Sequence, residues 1–461
     1  MNTLRKAVTL PLTTLGLLAA CAGDGPTPPP KGVTISGSVR DVVGEPISGA
    51  TVLVTGKNAV TSGSDGTFSI ADVMIPYDLT AILNAQHAAV TYKGLTRSDP
   101  AVLDPYVTGP EHTATISGTA PPASGKVTVV HFASSVRYAL GLGRADGTTG
   151  QYGFTVRWHG SYDTDAGRLE LLRWTTDATG LLPVSYDGYA SRSLTISAGA
   201  NLSGNDFAAV DLTDPPEQSI SGAIAIPATY TLNLRQLFII FGHVGAYWEE
   251  KNPVSNAFTY TVPDLSGVAF DVAATAVDGA SRSSSFFRRI SGNASNVGIL
   301  LPAASQLALP ANGASAVDAT TPFSWTQGEG AGVNLFKVWP DDAANPTYFV
   351  FTTGADAKIP DLAGEAMGLP AGASYHWHID RLFPVASIDS AASEGFRRLI
   401  ADLDGGDVGE TLSERFGFTT KTAAGAAFAA SAAGPTTARS LRDGRGRGLV
   451  MRAEAVPTGP R

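Results

Sequence analysis

From Val33 onward, apolar and polar residues alternate in short runs broken by glycine, proline, aspartate and asparagine. Val33–Val39 (VTISGSV), Ala50–Val54 (ATVLV) and Thr67–Ile70 (TFSI) are representative, with turn signals such as Gly44-Glu45-Pro46 and Ser64-Asp65-Gly66 between them. Side chains along a strand point alternately to its two faces, so this pattern predicts half-buried strands; no long 3.6-residue period competes with it. The chain therefore reads as all-β.

Internal repetition organises these strands. The triplet Ile-Ser-Gly occurs at Ile35–Gly37, Ile116–Gly118, Ile220–Gly222 and Ile290–Gly292. After the first three an apolar strand returns: Ala50–Val54, Lys126–Phe132 (KVTVVHF) and Gln236–Phe241 (QLFIIF). Further on, Asp65–Ile70 (DGTFSI) is echoed by Gly150–Val156 (GQYGFTV) and Ala257–Val262 (AFTYTV), and Tyr77–Ala81 by Phe270–Ala274. Three related modules, 33–110, 113–213 and 217–300, account for these echoes. The fourth triplet lacks them and closes the third module.

The first module, ISGSVRDVVGEPISGATVLVTG followed by SDGTFSIADV and IPYDLTA, resembles the carboxypeptidase regulatory-like domain. That resemblance, over about 50 residues, implies a transthyretin-like, carbohydrate-binding-like β-sandwich. Gly44-Glu45-Pro46 would bend one strand back, and Asp65-Gly66 would supply a left-handed turn before Phe68 enters the core. Over 303–420 the pattern changes. Thr321-Pro322-Phe323-Ser324-Trp325 sets a tryptophan on an early strand, and Leu369-x-x-Gly372-x-x-Tyr375-His376-Trp377 resembles the tyrosine corner of immunoglobulin-like and fibronectin type III sandwiches. That resemblance implies a Tyr375 hydroxyl bonded back to the backbone at the turn, with Trp325 and Trp377 in the core. A fourth divergent transthyretin-like module is the alternative. The expected architecture is thus tandem β-sandwiches, each standing on its own core of ~100 residues. Residues 421–461 lose the strand pattern and carry seven basic against two acidic residues. Such a segment is expected to be disordered.

The N-terminus changes the picture from fold to address. Arg5 and Lys6 precede a short apolar run from Ala7 to Leu18, which ends in Leu18-Ala19-Ala20-Cys21. A charged start, a short apolar stretch and small residues at a cleavage point make an export signal over 1–20. The last four residues resemble a bacterial lipobox, which implies cleavage between Ala20 and Cys21 and acylation of the Cys21 thiol; an ordinary secretory signal ending beside a cysteine is the alternative. Cys21 is the one cysteine of 461 residues, so the chain forms no internal disulfide. Two or three acyl chains anchor a protein stably where one does not. By the same resemblance, Ala22 after the cysteine implies the outer membrane. Residues 21–32 would then be the lipidated cysteine and a proline-rich, extended linker.

Composition narrows the function classes. The formal charge is −9, with 32 basic and 41 acidic residues, which argues against a nucleic-acid partner. Catalytic signatures such as G-x-S-x-G, H-E-x-x-H, a P-loop or a Rossmann fingerprint do not occur. None of the seven histidines has glutamate three residues on, so the zinc motif of a metallocarboxypeptidase is missing. Gly141-Leu142-Gly143 reads as a turn. His376 and His378, two apart on a strand, share a face and are weak metal candidates; no third ligand is evident, and surface histidines are the simpler reading. Asp402, Asp404 and Asp407 cluster in a loop with calcium-like composition that misses the EF-hand spacing, and Asp163 and Asp165 form a weaker cluster. Trp158, Trp174, Tyr186, Tyr189, Tyr247 and Trp248 would stack on sugars if exposed, and pack in cores otherwise. No cofactor is expected. The resulting expectation is a lipid-anchored, non-catalytic envelope protein, structural or adhesive, whose partners are the membrane and an envelope protein or polysaccharide. A carbohydrate-binding lipoprotein is the alternative, and an enzyme with a site built between modules a remote one.

Overall fold

The computed structural model describes residues 32–422 apart from 135–138, 140, 179, 181, 243 and 402–405. Ala20, Cys21, Asp402, Asp404 and most of the basic tail thus lie outside the described residues. Within them the protein is all-β, a tandem of β-sandwiches.

The three Ile-Ser-Gly triplets named first open three units with one strand order. In the first unit, Val33–Asp41 lies between Thr67–Val73, antiparallel, and Ala101–Asp104, parallel. The facing sheet runs Val60–Thr61, Thr51–Val54, Tyr77–Leu83, Ala88–Leu95. The second unit repeats this with Glu111–Thr119 between Gln151–His159 and Asn201–Leu202, the third with Glu217–Ala225 between Ala257–Pro263 and Ala294–Leu300. The reason for the triplet is visible in the pairing. Ile35, Ile116 and Ile220 are wholly buried. Gly37, Gly118 and Gly222 sit directly opposite Phe68, Tyr152 and Phe258 on the antiparallel neighbour. At each glycine an added Cβ would come closer than 3.0 Å to a backbone carbonyl from the other side, so the aromatic ring takes the space a side chain would fill. The fourth triplet begins at Ile290, the last residue of the strand Ser283–Ile290 in the third unit. Gly141-Leu142-Gly143, read as a turn, instead runs into the strand Leu142–Arg144, which pairs antiparallel with Val127–Ser134; its two glycines leave room for Phe154.

The last unit packs Gln306–Leu309, Phe323–Thr326 and Asp356–Ala357 against Val333–Pro340, Thr347–Thr352 and Ser374–Phe383. Its core is aromatic: Phe323 contacts Phe336, Trp377 and Phe418 with ring centroids 4.8–5.5 Å apart. Trp325 and Trp377 are both buried, as the resemblance implied. Tyr375 is buried too, but its hydroxyl donates to the Pro346 carbonyl at 3.2 Å, 29 residues upstream, rather than to the local turn.

The units are not separate beads. Thr347–Thr352 of the last unit pairs in parallel with Ala88–Leu95 of the first, from Thr347↔Ala88 to Phe351↔Tyr92. On the other side, Val408–Leu412 is hydrogen-bonded both to Ser374–Phe383 and to Ser283–Ile290 of the third unit. First, third and last units therefore share one 14-stranded sheet. Two short helices, Ile388–Ala391 (α1) and Glu394–Ile400 (α2), cross from the last unit onto the first, capped by Ser387 and Ser393. Ile388, Phe396 and Ile400 join the core of Val39, Leu79 and Val90. The Asp389 carboxylate accepts from the Thr96 and Arg97 amides, and Arg397 donates to the Val42 carbonyl at 2.7 Å. The second unit is fused to the third by Val127, Val129, Leu172 and Trp174 packing on Leu237, Phe241 and Trp248. The second unit keeps a core of its own around Ile116, Phe132 and Trp158, as the modular pattern implied, and shared cores form beside it for a simple reason. Val127–Ser134 is buried at every position, and Leu237–Phe241 likewise, so these strands are apolar on both faces and need a partner on each.

Two expectations follow from this packing. Gly222→Ala should cost about 1–3 kcal/mol through overpacking, read from the urea midpoint, whereas Gly298→Ala, with open space at its Cβ, should stay within about 0.5 kcal/mol. His131 lies in the joint between second and third units, wholly buried against Phe241, with neither ring nitrogen hydrogen-bonded. The facing carboxylate, Glu170, is engaged by Arg168 and the Tyr189 hydroxyl. Burial pushes the imidazole down to about 3, so the fold holds it neutral while the unfolded chain protonates below its ordinary value of 6.5. Its contribution is complete above pH 6.5 and falls away toward pH 3. Over that window the wild type should lose up to ~1.4 kcal/mol per pH unit relative to His131→Leu in paired denaturation curves.

Candidate functional site

Of the six tryptophans, five are at most 4% exposed: Trp158, Trp174, Trp248, Trp325 and Trp377. Tyr186 is buried as well, its hydroxyl bonded to the Thr261 carbonyl, and Tyr189 is half-buried on Glu170. These residues weld cores and joints, as the T-shaped Trp174–Trp248 contact at 5.1 Å illustrates. They form no platform for a sugar. The side chain of Tyr247 lies outside the described residues. The remaining tryptophan, Trp339, is the partly exposed one, and it centres the candidate site.

Trp339 sits at the end of Val333–Pro340, on the face opposite the last unit's own core; farther back along the strand, the same face carries Val333 and Leu335 into the core shared with the first unit. Alternation brings Lys337 and Trp339 to this face, and the antiparallel register sets His378 opposite Lys337 and His376 opposite Trp339. The indole packs against both imidazoles, with centroids 5.7 Å from His376 and 4.8 Å from His378. The Lys337 ammonium lies over the Trp339 ring at 5.5 Å and over Phe349 at 5.7 Å, within reach of a cation–π attraction. Burial lowers the Lys337 pKa, while the Asp380 and Glu410 carboxylates pull it back upward. Behind it, Tyr106 of the first unit meets Phe349 edge-on, and its phenol is pushed up to about 12 by burial and by Asp104. Asp104 itself is wholly buried beside Asp41, and burial raises its carboxyl well above the ordinary range. The site therefore lies on the seam where first and last units join.

The two candidate metal histidines share a face as expected, yet they do not converge on an ion. His376 is bonded through Nε2 to the Asp341 carboxylate at 2.8 Å. His378 is buried rather than at the surface: the strand is covered on both faces here, and its Nε2 lies 3.0 Å from Asp380 Oδ1, out of line for a hydrogen bond. Asp407 is drawn to arginine, accepting from Arg288 at 2.6 Å and from the Arg289 amide at 3.0 Å. Asp165 is buried at the start of Thr164–Thr176. Among the described residues no three His, Cys, Asp or Glu side chains are grouped to hold a metal. A cleft of about 390 Å³ in the first unit, between Pro46–Ala50, Asn84–Gln86 and Thr108, is lined by uncharged groups. The Trp339 site thus sets a partly exposed indole beside a lysine ammonium and a histidine–aspartate pair, above the buried Asp380 and Glu410 carboxylates. Sequence reading missed Trp339, because one tryptophan in a strand looks like any other until its face is known.

No family model matches the chain, and no curated protein matches it. Solved structures similar to it include the Bacillus anthracis TIE protein, 11% identical, covering 59% of this chain and 50% of that one at a TM-score of 0.15. BcpA, the major pilin subunit of Bacillus cereus, is 6% identical over 59% of this chain and 99% of that one, at 0.14. The FN1–FN3 domains of chicken CNTN1 are 10% identical over 66% of this chain and 100% of that one, at 0.15. The chain spans half the length of the first of these, and scores this low carry no argument about role.

The exposure difference is measurable. Acrylamide quenching of tryptophan emission should show one accessible component, and Trp339→Phe should remove it while leaving the denaturation midpoint within about 0.5 kcal/mol of wild type. Quenching that survives the substitution would place the exposed indole elsewhere.

Proposed function

We propose that this chain is a lipid-anchored, non-catalytic scaffold of the bacterial cell envelope, structural or adhesive, held to the outer membrane through Cys21. The observation that carries the reading is the sheet running unbroken through first, third and last units. Tandem sandwiches joined by linkers would flex, whereas shared strands and shared cores make a stiff arm that presents loops and edges at a fixed distance from its tether. The lipobox-like Leu18-Ala19-Ala20-Cys21 supplies the tether.

A second reading, carbohydrate binding, is favoured by the partly exposed Trp339 between His376 and Lys337. Aromatic faces with flanking hydrogen-bonding groups suit the apolar faces and hydroxyls of sugars.

Fractionation tests the first reading. Wild-type protein should sediment with membranes and show an acylated N-terminal peptide by mass spectrometry, and a variant with residues 1–21 replaced by an ordinary cleavable export signal should appear in the soluble fraction. Unmodified sulfur in the exported protein would end the anchoring proposal. Retention of the soluble variant on a polysaccharide column, lost on Trp339→Ala, would move the assignment to the second reading.

A further inference from the structure

We propose that the turn at Met74 and Ile75, on the tip of the first unit, rests on the lipid surface to which the chain is tethered. The inference builds on the reading of Cys21 as the acylated residue.

Seven large apolar side chains are exposed among the described residues: Met74, Ile75, Val184, Val210, Val254, Leu300 and Leu309. Met74 and Ile75, 46% and 50% exposed, are the two of these that are consecutive. Their position matters more than their number. The first described strand begins at Val33, and Val33 pairs with Val73, the residue immediately before the turn. The chain therefore enters the fold beside its most concentrated apolar tip. Ten residues lie between Cys21 and Gly32, so eleven peptide steps join them. At about 3.6 Å per residue, a fully extended segment of that length reaches at most ~40 Å. The end of the first unit is thus always held within that distance of the acyl chains, and a tether of this kind turns a weak contact into a frequent one.

The charges around the turn do not oppose such contact. Lys57 is paired with Asp72 at 3.4 Å, and Arg97 with Asp99 at 3.0 Å. Asp389 of α1 is spent on the Thr96 and Arg97 amides. The tip offers apolar side chains inside a ring of paired charges, the arrangement that settles at the boundary between headgroups and acyl chains. Two half-exposed side chains bind too weakly to hold a protein alone, so the contact orients the tethered arm rather than anchoring it. It would set the stiff sheet at a fixed angle to the bilayer.

The test uses the full acylated chain in vesicles of phosphatidylethanolamine and phosphatidylglycerol. Acylation occupies Cys21, so a cysteine introduced as Ile75→Cys is the single free thiol for an environment-sensitive fluorophore. Val210→Cys, on the second unit and 88% exposed, is the control. The label at 75 should shift to the blue and be quenched by spin-labelled lipid, with no change at 210. A label at 75 that stays water-like while the protein floats with the vesicles overturns the inference and leaves the anchoring intact. A blue shift that appears without vesicles and grows with protein concentration also overturns it, assigning the tip to a second copy of the chain. Wild-type protein that fails to float, with its Cys21 sulfur free, removes the anchoring reading and this inference together.

Discussion

The pairing of Thr347–Thr352 with Ala88–Leu95 is the contact on which the rest of the structure depends. Each strand would otherwise be the edge of its own sheet, with a row of unpaired amides and carbonyls and a surface rich in apolar side chains. Joined in parallel, they bury Phe349, Phe351, Val90 and Tyr92 on one face, with Tyr92 and Phe351 stacked at 4.6 Å. On the other face they bury Tyr348, Val350 and Ala89. One edge closure thereby completes two cores. The helices α1 and α2 then pack beside this junction and bring Ile388, Phe396 and Ile400 into the core of the first unit.

The three leading units show how one local rule is reused under different loads. Each centres a short sheet on a strand whose isoleucine fills the core and whose glycine yields to a cross-strand aromatic. Their second sheets differ in what they must do outside the unit. Tyr77–Leu83 and Ala88–Leu95 extend into the last unit's sheet, while Val127–Ser134 and Thr164–Thr176 pack face-on against the third unit. The outer surface of each four-stranded sheet was free to become a joint because the inner sheet had already closed the sandwich.

The site was half legible. That His376 and His378 share a face, and that Tyr375, Trp377 and Ile379 take the other, follows from strand alternation alone, and the burial of the latter three agrees. That Trp339 and Lys337 lie opposite those histidines depends on the register between Val333–Pro340 and Ser374–Phe383, which no residue pattern specifies. The burial of His378 depends on more remote facts still, since Asp380, Glu410 and the neighbouring strands gather around it only once the long sheet is assembled. Conversely, Trp158, Trp174 and Trp248 read as candidates for ligand contact because exposure has no signature in sequence; in the fold they are packing.

Alternation and turn residues by themselves determined that this chain is built of strands, and the recurring triplets marked where three of its units begin. These are local properties: a period of two, a glycine facing a ring, an Asp-Gly turn are satisfied within a few residues of one another. Which edges meet, which faces are covered twice, and which tryptophan stays in solvent were decided only in three dimensions. Those outcomes come from strands more than 200 residues apart, such as Ala88–Leu95 and Thr347–Thr352, whose pairing lowers the free energy by removing edges and apolar faces that no stretch of sequence can see for itself.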